Sequence, residues 1–194
     1  MRLNIGNIVK AHSPLGLDSL VIDCGGYEGE YSQEIHDKWN PNIIIFEPVP
    51  KFYELCKERF KNDNKVKVFP YALGNEVGMR KLYVNKDGTS FYQEWAKSDD
   101  SIEVNVVKLS DFIKDKHVDI LAMNCEGAEF DILQDLHKNN LMPNIEEILV
   151  QFHRVPEVFD EKYDLTIDIL KKTHNDIFDF KEKFYFKWQL WRKK

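Results

Sequence analysis

Two groups of residues in this 194-residue chain have the types and spacing to do chemistry. The first is Asp23-Cys24-Gly25-Gly26-Tyr27-Glu28-Gly29, which follows a short apolar run and precedes a helical pattern. Gly25 and Gly26 can take positive φ and admit a ligand close to the backbone. The free N–H groups that open the next helix suit a carboxylate, such as that of a methionine moiety. Glycine suits any strand-to-helix turn, so the cluster gains meaning from Glu47-Pro48, which ends the next apolar run. A carboxylate there can accept both hydroxyls of a nucleoside ribose. Ala72, in Tyr71-Ala72-Leu73, marks either a place for an adenine ring or a plain core position. A dinucleotide site is disfavoured. Counting from Gly25, the third and sixth positions of G-x-G-x-x-G are Tyr27 and Glu30, and Glu28 and Glu30 would repel a pyrophosphate.

The second group suits proton transfer. Asn124, Glu126 and His153 follow or end two later apolar runs. His153 has an ordinary pKa matched to neutral-pH proton transfer, or it closes its strand through a hydrogen bond. Glu126 serves as a base or caps its own helix, whereas Glu129 reads as structural. Asn124 holds the methionine end of a cofactor or orients an acceptor hydroxyl. Ser90 and Tyr92, in Asp87-Gly88-Thr89-Ser90-Phe91-Tyr92, are candidate acceptor contacts. His12 reaches the cleft only if the N-terminal segment folds over it; His36, His117, His137 and His174 are expected at the surface. Cys24 and Cys125 flank the cleft, but no neighbouring histidine or lysine activates them, so they read as small buried residues.

These positions require strands that end together. Leu20 to Ile22, Ile43 to Phe46, Val66 to Tyr71, Val118 to Met123 and Ile148 to Phe152 read as five core strands. Helices are expected over Tyr31–Trp39, Pro50–Phe60, Glu126–His137 and Tyr163–Thr173. Lys81–Val84 and Ile102–Val107 read as strands of an insertion or a sheet edge. The last segment reads as two edge strands turning around Glu182-Lys183. Such alternation implies an α/β fold, mainly a parallel sheet with helices on both faces and an antiparallel C-terminal edge. Residues 1–194 read as one domain: an N-terminal segment to 17, a cofactor-binding core over 18–153, and a C-terminal helix and strands over 154–194.

VIDCGGYEGEYS, IIIFEPVPKFYELC, FPYALGNEVG, DGTSFY, VVKLSDFI, DILAMNCEGAEFDIL and EEILVQFH occur in that order. Together they resemble the FkbM family of S-adenosylmethionine-dependent methyltransferases over residues 18–153. The resemblance implies a Rossmann-like class I methyltransferase fold, S-adenosyl-L-methionine as cofactor and S-adenosylhomocysteine as product. It implies cofactor contacts at Asp23, Gly25, Gly29, Glu47 and around Ala72, and a functional histidine at His153. The implied reaction is methyl transfer to a hydroxyl of a sugar or other polyhydroxylated acceptor, on a glycan, glycolipid or natural product. The chain departs from the family where K-x-D-x-E-G-x-E is represented by Ala122-Met123-Asn124-Cys125-Glu126-Gly127, and E-x-H by Gln151-Phe152-His153. Two carboxylates suited to a hard cation are thereby absent, so no metal is expected. The same departures admit an alternative, a catalytically decayed module that binds the cofactor or a nucleoside in a regulatory or scaffolding role.

Composition narrows the partners. Lysine and arginine number 27 against 33 acids, a net charge of −6, which gives no electrostatic footprint for a phosphate backbone. The Asn/Asp-Pro-Pro-Tyr pattern of amino methyltransferases is missing, and no nucleic-acid partner is expected. The basic segment from Lys181 to Lys194 reads as a final strand with a solvated tail, the alternative being a groove for an anionic or carbohydrate substrate. No apolar run approaches a membrane span of roughly 18 residues. With no secretory signal and three scattered cysteines, a cytoplasmic location is expected. Oligomerisation is left open.

Overall fold

The computed structural model describes residues 5–85, 88–156, 158–181 and 186–194. Its helices are α1 (Ile5–Ala11), α2 (Glu30–Trp39), α3 (Pro50–Arg59), α4 (Gln93–Ala96), α5 (Leu109–Ile113), α6 (Glu129–Lys138) and α7 (Phe159–Thr173). Its strands are β1 (Leu20–Cys24), β2 (Asn42–Phe46), β3 (Val66–Phe69), β4 (Ala72–Leu73), β5 (Gly78–Tyr83), β6 (Ser101–Val107), β7 (Val118–Met123), β8 (Ile145–His153), β9 (His174–Lys181) and β10 (Phe186–Lys193). The main sheet runs β3-β2-β1-β7-β8-β10-β9. β3, β2, β1, β7 and β8 are parallel, and β10 is antiparallel to both β8 and β9. Strand order reverses between β1 and β7, so the ends of β1, β2 and β7 open the crevice where such sheets take ligands. This is the Rossmann-like class I arrangement, with the antiparallel edge expected from the sequence.

Burial on both faces explains why the strands read as nearly continuous apolar runs. Val21, Ile43, Ile45 and Ile120 pack with Ile8 and Val9 of α1, Ile35 of α2 and Cys56 of α3. Their neighbours Ile22, Phe46, Leu121 and Ile148 face the other way, onto Phe130 and Leu133 of α6 and Ile169 and Leu170 of α7. A smaller sheet, β4-β6-β5, stands over the strand ends. Leu82, Val104 and Val106 of that sheet pack with Val49, just beyond β2.

Three expectations change. The helix after β7 starts at Glu129 rather than Glu126, because Glu126 and Gly127 adopt positive φ (48° and 104°) and form a turn. α1, α4 and α5 are short helices absent from the sequence reading. His174 is buried rather than at the surface, its Nε2 3.0 Å from the Ile145 carbonyl oxygen. The expected turn at Glu182-Lys183 lies outside the described residues.

His12 is also buried, but on a network that ties the N-terminal segment to the sheet. Its Nδ1 lies 2.8 Å from Glu147 Oε2. Ser13 donates its hydroxyl (2.7 Å) and Arg192 its Nε–H (2.7 Å) to Glu147 Oε1. Burial by itself raises the Glu147 pKa, yet the hydrogen bonds from His12, Ser13 and Arg192 outweigh it and hold the carboxyl down at about 2. A depressed acid stabilises the fold fully above its ordinary value of 4.5 and loses that contribution as pH falls toward 2. Glu147→Ala leaves the buried His12 ring and the part-exposed Arg192 without their shared acceptor and is expected to cost about 1–3 kcal/mol. A urea midpoint at neutral pH checks this; an unchanged midpoint would show the network to be inert.

Candidate active site

The ends of β1, β2 and β7 and the inner face of the small sheet enclose a cleft of about 350 Å³. That size suits a ligand with a nucleoside and a short chain. Gly25, Tyr27, Glu47, Pro48, Ala72, Asn124 and Glu126 all line it, so most of the residues singled out in the sequence converge there. Gly25 has φ 85°, and a Cβ on it would stand 2.2 Å from the Asn124 carbonyl oxygen; only glycine lets the β1 and β7 loops approach this closely. Glu47 is 5% exposed and bridges two loops. Its Oε2 accepts the Tyr27 N–H and its Oε1 the Val49 N–H, both at 2.8 Å. Burial pushes its pKa up to about 7 against the pull of these two N–H groups, and the charge of Asp23 adds to the rise. Each oxygen retains lone-pair capacity toward the cleft. Tyr27 has φ 49°, and its carbonyl accepts from the Cys56 thiol at 3.1 Å. Burial, with the charges of Asp23 and Glu47, raises that thiol to about 12, which leaves it a structural donor.

Asp23, Gly26 and Gly29 stand behind the cleft rather than in its wall. Asp23 is raised to about 6 by burial, moderated by the Ser32 hydroxyl that donates to it at 2.6 Å, and so anchors α2 to β1. A Cβ on Gly26 would strike Ile45 Cγ2 at 2.2 Å. Gly29, at φ 79°, turns the chain into α2 beside Phe60 and Arg59. The first turn of α2 is not among the residues that line the cleft.

The far end of the cleft is built around Glu126. Its Oε2 accepts the Trp95 indole N–H at 2.8 Å, and its Oε1 is 3.2 Å from His153 Nε2. Its backbone carbonyl accepts the Ser90 hydroxyl at 2.6 Å. His153 is fully buried and does not reach the cleft. Its Nδ1 lies 3.2 Å from Glu129 Oε1, which also accepts the His153 backbone N–H at 2.7 Å. Glu129 Oε2 accepts the Gly127 N–H at 2.9 Å. Burial by itself lowers the imidazole pKa. The charge of Glu129 and the interactions with both carboxylates overcome it and raise the ring to about 10. The two carboxylates thus favour the imidazolium form of His153 over the neutral ring. The histidine expected as the base is buried between two acids, Glu126 and Glu129.

Ser90 and Tyr92, expected as acceptor contacts, lie outside the lining residues. Ser90 is buried, and the Tyr92 ring packs at the Gly127 turn. Both shape the loop that carries Glu126. Trp95 was missed because nothing local marks a half-buried tryptophan in the four-residue α4 as a carboxylate partner. Phe52, Leu82 and Phe91, which supply apolar wall, were likewise not singled out as cleft residues. Among the described residues, no group of three His, Cys, Asp or Glu side chains is arranged to hold a metal ion. No described helix is long and apolar enough to cross a membrane.

The methyltransferase FkbM domain model matches residues 23–183. "Methyltransferase 1" of Beauveria bassiana (strain ARSEF 2860) is 28% identical over 151 residues, which cover 64% of this chain and 61% of that one. The chain thus spans less than two thirds of that relative's length. Methyltransferase FkbM from Methylobacillus flagellatus KT superposes with a TM-score of 0.59 at 13% identity, covering 96% of this chain and 50% of that one. M. capricolum TrmK, solved with S-adenosyl-homocysteine, superposes at 0.55 with 10% identity, covering 100% of this chain and 69% of that one.

The raised His153 pKa makes a direct prediction. Its contribution to stability is full below the ordinary value of 6.5 and is lost as pH rises through about 10. Nitrogen-15 histidine spectra at pH 8 should show one ring, absent in His153→Gln, with the shifts of an imidazolium. A His153 resonance titrating near 6.5 would contradict the assignment.

Proposed function

The chain belongs to the FkbM methyltransferase family, and on that premise we propose that it transfers a methyl group from S-adenosylmethionine to a hydroxyl of a sugar or other polyhydroxylated acceptor. The observation that carries the reading is the Glu126 carboxylate, which borders the same cleft as Glu47 and is held at both oxygens by Trp95 and His153. When bound, S-adenosylmethionine supplies an activated methyl group on a sulfonium. The residues present fit it. Glu47 has lone pairs for the two ribose hydroxyls, Ala72 and Leu82 give an apolar wall to an adenine, and Gly25 and Asn124 leave backbone exposed for the methionine end.

In this reading Glu126 is the general base. It takes the acceptor's hydroxyl proton while the oxygen forms its bond to the methyl carbon, the carbon–sulfur bond breaks, and S-adenosylhomocysteine is released. Trp95 and His153 are positioning residues. They fix the carboxylate so that little reorganisation is needed when the proton moves. An acidic cleft also favours a cationic sulfonium: among the described residues that line it, the acidic side chains are Glu47 and Glu126, with no lysine or arginine.

Incubation with methyl-labelled S-adenosylmethionine and a panel of sugars tests the reading. Label in a base-stable ether supports it, whereas label in a base-labile ester would redirect it to a carboxylate acceptor. Binding of S-adenosylhomocysteine with no turnover across the panel would favour a decayed binding module. Glu47 adds a pH signature. Ribose hydroxyls need the deprotonated carboxylate, so affinity for S-adenosylhomocysteine should be level above pH about 7 and fall below it, by up to about tenfold per pH unit. In Glu47→Gln, binding should be weaker and lose this dependence. Calorimetry from pH 5.5 to 8.5 decides, and an identical pH profile in the variant would remove Glu47 from the site.

A further inference from the structure

The cleft takes its charge from acids, but a cation stands at its rim with nothing yet assigned to it. Along β5 side chains alternate, so Arg80 shares a face with Leu82, which is buried and lines the cleft. The Arg80 guanidinium carbon lies 4.1 Å from the centroid of the Phe91 ring, another lining residue. Stacking on the ring fixes the guanidinium plane, and beyond the hydrogen bond it makes to the Tyr92 phenol it keeps further N–H donors for a ligand. Among the described residues no carboxylate lies within ion-pair distance of it. Tyr92, next to Phe91, feels two cations: Lys162 and Arg80 both oppose the rise that burial and Asp131 impose on its phenol. Lys162 is already paired with Asp131 at 2.6 Å, whereas Arg80 meets the Tyr92 phenol and, among the described residues, no carboxylate.

The position is tied rigidly to Glu126. Tyr83, at the end of β5, exchanges two backbone hydrogen bonds with Ser90 (2.8 and 3.0 Å), and the Ser90 hydroxyl donates to the Glu126 carbonyl. An anion held on Arg80 would therefore present the rest of its molecule at a fixed distance from the Glu126 carboxylate. Without such a handle, a chain of net charge −6 with an acidic cleft would repel an anionic acceptor.

We propose that Arg80 is an acceptor-recognition residue that binds an anionic oxygen group, phosphate or carboxylate, on the hydroxylated acceptor. The proposal rests on the methyltransferase reading above. It makes the acceptor class an acidic sugar, with the guanidinium fork meeting the anion in two parallel N–H bonds.

The test is calorimetric titration of the protein saturated with S-adenosylhomocysteine, using glucose 1-phosphate, glucuronate and glucose in turn. At least one anionic sugar should bind about tenfold or more tightly than glucose. Whichever it is distinguishes phosphate from carboxylate. Arg80→Gln should erase the margin while leaving the melting temperature and the affinity for S-adenosylhomocysteine unchanged. Arg80→Lys, which keeps the charge but loses the stacked fork, should retain part of it. Equal binding of the three sugars, no binding of any, or a margin that survives Arg80→Gln overturns the proposal. Failure to bind S-adenosylhomocysteine at the outset overturns the methyltransferase reading and this assignment with it.

Discussion

A single buried carboxylate, Glu129, sets the shape of the far half of the cleft. It has no solvent exposure and sits in the first turn of α6, where it accepts N–H groups from Gly127 and from the end of β8 and pairs with the His153 ring. An unpaired charge there would cost several kcal/mol, so the β7–α6 turn and the end of β8 must stay together. That constraint holds Glu126 in a left-handed backbone conformation, which costs a non-glycine residue about 1 kcal/mol or more. The turn is over-determined from outside as well, through the Ser90 hydroxyl and the Trp95 indole. Strain of this kind persists only when surrounding contacts enforce it, and here it aims a carboxylate into a ligand-sized cleft.

The two ends of the cleft are built by different means. Around Glu47 the backbone does the work: the β1 and β2 loops donate N–H groups to one carboxylate, and Gly25 lets the β7 loop approach. Around Glu126 side chains from three separate parts of the chain converge, from α4, the β7 turn and β8. The first arrangement suits a ligand common to a family, because backbone geometry tolerates sequence change. The second depends on side chains, of which Glu126, Glu129 and His153 stand where the family pattern has the same residues and Trp95 lies outside that pattern.

This difference also explains what was legible in the sequence. The strands were readable because both faces of the sheet are buried, which turns Ile43-Ile44-Ile45-Phe46 and Val118 to Met123 into recognisable apolar runs. Glu47, Gly25 and Asn124 were readable because a residue directly after such a run lies at a strand end. Trp95 and Arg80 were not, since nothing local marks their partners: Glu126 is distant in sequence from Trp95, and Arg80 meets Phe91 only across the turn that follows β5. His153 was located correctly at a strand end, but its charge state was not legible. That state depends on Glu126 and Glu129, whose side chains reach opposite ring nitrogens. Asp23, Gly26 and Gly29 show the reverse case. Their residue types announce a ligand loop, but the structure uses them to pack and anchor that loop from behind.

The most direct test of the account is a comparison of Glu126→Gln with the wild-type protein, measuring affinity for S-adenosylhomocysteine and the single-turnover rate of methyl transfer. Glutamine preserves the shape and one acceptor oxygen but cannot take a proton. Affinity should stay within about twofold while the rate falls by about 10²–10⁴. An unchanged rate would contradict the account, because it would leave the carboxylate at the centre of the site without a chemical role.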